Sequence, residues 1–230
     1  MLPALSAISA RQAKATKTTE QAVQHFLDYA ATRPNATLRY RASDMVLKLH
    51  SDASYLSESK ARSRAGGFFY MGDKNSTKIN GVVLVLATIM RNVMSSAAEA
   101  ECGALFLNAK EAEALRTTLA EMGHPQEEPT EIITDNSTAE GIMEGTIKQK
   151  RTKAMDMRFY WVQDRVNQHH LKVKWQPGAT NYADYFTKHH PPTHHRAMRG
   201  TYLVNAIAQF KARILRGCVN PNNRSAGARG

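Results

Sequence analysis

Between Ser96 and Met122 apolar residues recur every three or four positions (Ala98, Cys102, Leu105, Ala109, Ala112, Leu115, Leu119 and Met122), and Gly123 with Pro125 stops the run. That period is helical, and a helix of such length needs a broad apolar surface to lie on. The preceding residues supply one. Met45 to Ser51 alternates apolar and polar, with Met45, Leu47 and Leu49 on one side; Gly66-Gly67 opens the run FFYM; Val82 to Met94 is apolar but interrupted at Arg91-Asn92. Three adjacent antiparallel strands are the simplest reading, with a turn at Gly72-Asp73-Lys74-Asn75. After the helix, Ile132-Ile133-Thr134 is a short buried strand, a helix begins at Thr138, and Lys153 to Gln168 has helical spacing. Leu171 to Trp175 alternates again, and Pro177-Gly178 breaks it before a last short helix from Asn181 to Lys188. The expected fold is therefore α/β: a mixed five-stranded sheet in which three hairpin-joined strands precede two reached by helical crossovers, with helices on both faces.

Charge sharpens the boundaries. The formal net charge is +11, yet residues 1–39 carry five Lys/Arg against two acids, residues 40–187 eighteen against eighteen, and residues 188–230 eight against none. The excess lies outside the part long enough to make a core, which excludes a histone-like chain and points to a polyanion met by the ends. The longest apolar run, Gly81 to Met90, is about half of the roughly 20 residues a spanning helix needs, so no membrane partner is expected. Two cysteines, Cys102 and Cys218, exclude a disulfide framework, and neither has a partner at zinc-finger spacing. An intracellular setting, cytoplasmic or nuclear, is expected. The acid-free first nineteen residues faintly resemble a transit peptide, but Pro3 and the lack of an arginine-rich stripe count against it.

The informative residues are four acids at the ends of core elements. Asp52 follows the first strand, Glu101 sits in the first turns of the long helix, Asp135 follows Thr134, and Asp184 starts the final helix. Singly, each is an ordinary turn former or helix-start acid. Together they can converge at one sheet edge, where they would repel one another unless cations lay between them. Hard oxygen donors without Cys or His suit Mg²⁺ or Mn²⁺ and disfavour zinc, and two such ions could bridge attacking water and leaving oxygen in phosphodiester hydrolysis.

The contexts of these acids are HSDAS (50–54), SSAAEAE (95–101), TDN (134–136) and NYADYFTK (181–188). They resemble, in the same order and with compatible spacing, the SDAS, SS-x-x-EAE, TDN and N-x-AD-x-x-TK signatures of the ribonuclease H domain of Ty1/copia-type retrotransposon polyproteins. The resemblance runs from about Leu2 to Leu203. It implies a ribonuclease H-like fold, cleavage of the RNA strand of RNA:DNA hybrids, and Asp52, Glu101, Asp135 and Asp184 as catalytic carboxylates and ligands of two Mg²⁺ or Mn²⁺ ions. By the same resemblance Asp52 bridges the ions, Glu101 and Asp135 hold the one at the leaving oxygen, and Asp184 holds the one that activates water. Two positions are about 200° apart on a helix, so only one of Glu99 and Glu101 can face the site, and the resemblance, in which the second acid of EAE does so, implies Glu101. The implied division is a connection segment following a reverse transcriptase over residues 1–43, the ribonuclease H-like domain over 44–188, and a basic, partly disordered tail over 189–230 that meets nucleic acid backbone. Met1 then falls inside that connection, and the reverse transcriptase portion of a polyprotein is an expected partner.

Several neighbours are candidates for substrate binding. Ser54 shares the motif of Asp52; Asn136 and Ser137 can reach sugar or phosphate, with helix capping as the competing reading. Lys148, Lys150, Arg151 and Lys153 form the dense basic cluster of the neutral middle, suited to phosphates or to plain solvation. Phe159, Tyr160 and Trp161 are expected in the core, and His169 and His170 at the surface. Many ribonucleases H carry a histidine in the loop before the last carboxylate, whereas residues 175–181 (WQPGATN) have none. The run His189 to His195 contains Pro191-Pro192 and is expected to be an extended, exposed strip rather than a metal site. No Tyr-x-Asp-Asp polymerase signature occurs, which excludes an active reverse transcriptase. The alternative to a nuclease is a silent retroelement remnant that binds nucleic acid through its basic ends.

Overall fold

The computed structural model describes residues 1–147 and 157–205, so the basic cluster Lys148, Lys150, Arg151 and Lys153 and the tail after residue 205 lie outside the described residues. In chain order the elements are α1 (Leu2–Ser9), α2 (Lys17–Ala31), β1 (Ala36–Thr37), β2 (Val46–Glu58), β3 (Arg62–Gly72), β4 (Val82–Ile89) and α3 (Ala97–Glu121). There follow β5 (Thr130–Thr134), α4 (Ser137–Met143), α5 (Met157–Asn167), β6 (Leu171–Trp175), α6 (Pro192–Tyr202) and β7 (Val204–Asn205). Five strands form one sheet in the order β4-β3-β2-β5-β6. The β4-β3-β2 part is antiparallel, and β2-β5-β6 is parallel. The mixed sheet expected from the pattern is present.

One face buries Leu47 and Leu49 of β2 and Phe69 and Met71 of β3 against Cys102, Leu105, Ala109 and Ala112 of α3, with Phe159 and Val162 of α5. The helix starts where Ser96 Oγ accepts the Glu99 N–H at 3.1 Å. Met122, the last apolar position of the period, is 65% exposed because it caps the helix beyond the sheet. Phe159 is buried and Trp161 packs edge-on to Phe106, but Tyr160 faces outward, so only part of that aromatic trio is core.

The opposite face of β2 is buried as well. Lys48 and His50, polar in the alternation, are buried too, His50 against Tyr70 and Tyr182. Phe68, Tyr70 and Phe186 form a second core with Tyr182, Tyr185 and Tyr202, supplied by the chain that follows β6. That chain is not the helix expected over 181–188. It makes two 3-10 turns, Gly178–Thr180 and Asp184–Phe186, separated by a bend. Nor is His189 to His195 an extended strip: Pro191 caps α6 and Pro192 occupies its first turn, where a missing N–H costs nothing. β1 pairs antiparallel with β7, so the segments before and after the sheet meet.

Two adjacent glycines let both layers approach the sheet. A Cβ on Gly66 would lie 2.6 Å from Thr187 Cγ2 and 2.8 Å from the Ala183 carbonyl, and one on Gly67 would lie 2.0 Å from Asn108 Oδ1. Asn108 fills the gap on the α3 side, its Nδ2 donating to Ser51 Oγ and to the Gly66 carbonyl, both at 2.9 Å.

Candidate metal centre at the end of the parallel strands

Asp52 does not end its strand. It lies within β2 opposite Gly66, two residues beyond the last parallel pair, His50 with Ile133. Pairing with β3 therefore holds the backbone of Asp52 rigid, while the parallel neighbour has already turned away and left its side open. Asp135 leaves the end of β5 at that opening, and Glu101 descends from the second turn of α3. Carboxylate oxygens of Asp52, Glu101 and Asp135 lie within 4.8 Å of one another. Glu99 points elsewhere, its Oε2 accepting the Ser95 N–H at 2.6 Å, so the helical geometry separates the two glutamates as expected.

Two of the three acids are buried, and Asp135 is half-buried. Asp52 is 2% and Glu101 7% exposed. Burial, and then the charges of Asp184 and Asp135, push the Asp52 carboxyl up to about 7, although a hydrogen bond from Thr187 favours its ionised form. Burial, and then the charges of Asp52 and Asp135, push Glu101 up to about 9. Glu101 Oε1 accepts the Ala53 N–H at 3.3 Å, but its Oε2 is buried without a partner. An orphaned carboxylate oxygen beside two further carboxylates is what a cation site presents when its own residues supply only oxygen donors. These three side chains fit a metal ion.

Asp184 stands outside that three-carboxylate group, on the neighbouring 3-10 turn. Its Oδ1 is ion-paired with Lys188, and His190 Nε2 lies 3.9 Å from its Oδ2 and 3.3 Å from its carbonyl. Burial opposes the Lys188 ammonium, but the Asp184 hydrogen bond and the fields of Asp184, Asp52 and Asp135 overcome it and raise its pKa. The loop over residues 175–181 indeed lacks histidine, yet the imidazole of His190, just before α6, reaches Asp184. Sequence alone could not give His190 this place, since it depends on the chain doubling back after Lys188.

Other residues hold the acids in position. Thr187 Oγ1 donates to Asp52 Oδ2 at 2.6 Å, and Ser54 Oγ donates to the Thr187 carbonyl at 2.8 Å. Ser54 is thus buried behind the site, tying β2 to the Asp184 turn. Asn181 Nδ2 does the same further along, donating to the Ser51 carbonyl at 2.9 Å. Asn136 caps α4, its Oδ1 accepting the Ala139 N–H at 2.9 Å, and Ser137 is the first residue of that helix. Trp175 Nε1 donates to the Asp135 carbonyl at 3.0 Å, and a Cβ on Gly178 would lie 2.7 Å from Asp135 Oδ2. Pattern reading took Thr187, Asn108 and Gly178 for ordinary loop and helix residues; Thr187 carried the one signal, its place in the N-x-AD-x-x-TK motif.

A mixed sheet in the order β4-β3-β2-β5-β6, with an acidic cluster where the parallel strands end, defines a ribonuclease H-like domain. The chain is 27% identical over 168 residues to the Retrovirus-related Pol polyprotein from transposon TNT 1-94 of Nicotiana tabacum. The alignment takes in 73% of this chain and 12% of that polyprotein, and it bears out the resemblance to Ty1/copia-type polyproteins. No protein-family profile matches the chain. Among solved structures, LC11-RNase H1 in complex with an RNA/DNA hybrid superposes with a TM-score of 0.45 at 14% identity, covering 61% of this chain and 93% of that one. The N-terminal RNase H domain of a Mycobacterium tuberculosis protein gives 0.46 at 15%, covering 64% and 96%. The foamy-viral RNase H domain gives 0.41 at 14%, covering 61% and 91%.

Proposed function

We propose that this chain hydrolyses the RNA strand of RNA:DNA hybrids with divalent metal ions held by Asp52, Glu101 and Asp135, and with Asp184 completing a two-ion site. The observation that carries the reading is the close group of three carboxylates, two of them buried, with an unpartnered oxygen on Glu101. When bound, Mg²⁺ or Mn²⁺ would supply Lewis-acid stabilisation of the charge that develops on the leaving oxygen. The chain's own part is to hold the acids in place. Thr187 fixes one oxygen of Asp52 and leaves the other free, the Ala53 N–H orients Glu101, and Trp175 anchors the backbone of Asp135. Lys188 pairs with Asp184 on the neighbouring turn.

Ser54 and Asn136 turn their polar atoms inward to the fold, which favours positioning roles for them over contact with sugar or phosphate. The alignment to a transposon Pol polyprotein supports the hybrid as substrate, since reverse transcription generates one. The test is cutting of a hybrid labelled on its RNA strand, in Mg²⁺ and in Mn²⁺, by the full chain and by Asp135→Asn. Cutting by the full chain that Asp135→Asn abolishes is expected; equal cutting by both proteins would sink the proposal.

A further inference from the structure

We infer that the groove between α2 and α6 binds a single-stranded extension of the nucleic acid whose hybrid portion occupies the carboxylate site, an inference that rests on the function proposed above. Two cavities, about 750 and 390 Å³, lie between these helices and share Thr32, Arg33, Arg196 and Arg199 in their walls. Arg11 completes the rim of the larger one, and among the described residues no aspartate or glutamate lines either. The floor of the larger is apolar and aromatic: Ala4, Ile8, Phe26 and Tyr29, with the ring of His25. Arg33 and Arg196 are exposed, and Arg199 is aimed across the groove by donating to the Tyr29 hydroxyl at 3.0 Å.

Cationic rim and aromatic floor specify the occupant. Guanidinium groups without acidic neighbours select phosphates, whereas the rings offer faces on which bases stack. A duplex cannot use such a floor, because its base faces are hidden in the stack, but a single strand can splay its bases into it. The larger volume falls within the range of about 300–1,000 Å³ typical of small-molecule sites, room for one or two nucleotides. His190 gives the direction: it lines this cavity and also lies against Asp184, so the groove begins where the carboxylate site ends.

The test is fluorescence anisotropy in EDTA, where no cutting occurs, with a short blunt hybrid, the same hybrid carrying a single-stranded extension, and a non-nucleotide polyanion. The extension is expected to tighten binding by at least roughly fivefold, the effect of stacking one base. In Arg33→Glu/Arg196→Glu that ratio falls to about one. A photoreactive base in the extension is expected to cross-link the full chain to peptides from α2 and α6, a readout that does not depend on the variant folding. A ratio of one in the full chain, cross-links only to other elements, or equal competition by the non-nucleotide polyanion would overturn the inference. Cleavage is scored separately, so an extension effect in a protein that cuts nothing would refute the nuclease reading and leave the groove assigned.

Discussion

The three-carboxylate group and the Asp184 turn stand side by side and are built by opposite means. Asp52, Glu101 and Asp135 come from three places far apart in sequence, are held by sheet and helix backbone, and among the described residues have no cation as a hydrogen-bond partner. Asp184 sits on a short irregular turn and satisfies its charge locally, through Lys188 four residues on. A rigid scaffold can keep like charges together against their repulsion, because moving any one of them would break packing and strand pairing. An irregular turn has no such reserve, so its acid carries its own counter-ion. The two regions meet at Thr187, whose hydroxyl holds Asp52, and at Gly66, whose missing side chain lets the turn lie on the sheet.

The comparison can be broken most sharply at the rigid side. Asp52→Asn is expected to abolish hybrid cutting while circular dichroism stays unchanged; residual cutting near the unmodified rate would mean that the group is not the metal site. Gly66→Val should come next, costing about 2–3 kcal/mol in urea unfolding, since its Cβ would meet Thr187 and the backbone of Ala183 and neither can move freely. Thr187→Val, which leaves a buried carboxylate oxygen of Asp52 unpaired, should cost roughly 1.5–3 kcal/mol and weaken metal binding measured by calorimetry.

The pH dependence separates the regions further. Because the folded Asp52 and Glu101 carboxyls titrate near 7 and 9, above their unfolded values of 3.8 and 4.5, the folded chain binds more protons than the unfolded one between about pH 4 and 9. Stability from these groups therefore falls as pH rises through that window in EDTA, and saturating Mg²⁺ should restore it most at the alkaline end. Thermal melts of the full chain against Asp52→Asn/Glu101→Gln check this; parallel slopes for the two proteins would contradict it. The smallest effect belongs to Lys188→Gln. The Lys188 side chain is half-exposed, and such pairs contribute about 0–1 kcal/mol, so melting should barely change. A larger loss would show that the turn is no less rigid than the sheet.

Legibility followed the same division. The long helix, the succession of strands and helices and the fact that Glu99 and Glu101 cannot share a face could be read from periodicity, because each depends on the direction in which successive side chains project. The second core could not. Lys48 and His50 are only the polar positions of an alternation, which does not say that both are buried or that His50 meets Tyr182 where the chain returns across the sheet. His190 read as part of an exposed strip for the same reason: two prolines suggest extension unless the first can cap a helix and the second can open it. Gly66-Gly67 announced a strand but not that both faces would be approached within van der Waals distance.

The sequence by itself determined the alternation of strands and helices and the four acidic motifs in their order, since local period and residue chemistry are written along the chain. Tertiary structure alone decided that three of the acids converge at one point and that the Asp184 turn is tied to the sheet beside them. Those outcomes rest on contacts more than a hundred residues apart, such as Thr187 with Asp52 and Asn181 with Ser51, which no local pattern encodes.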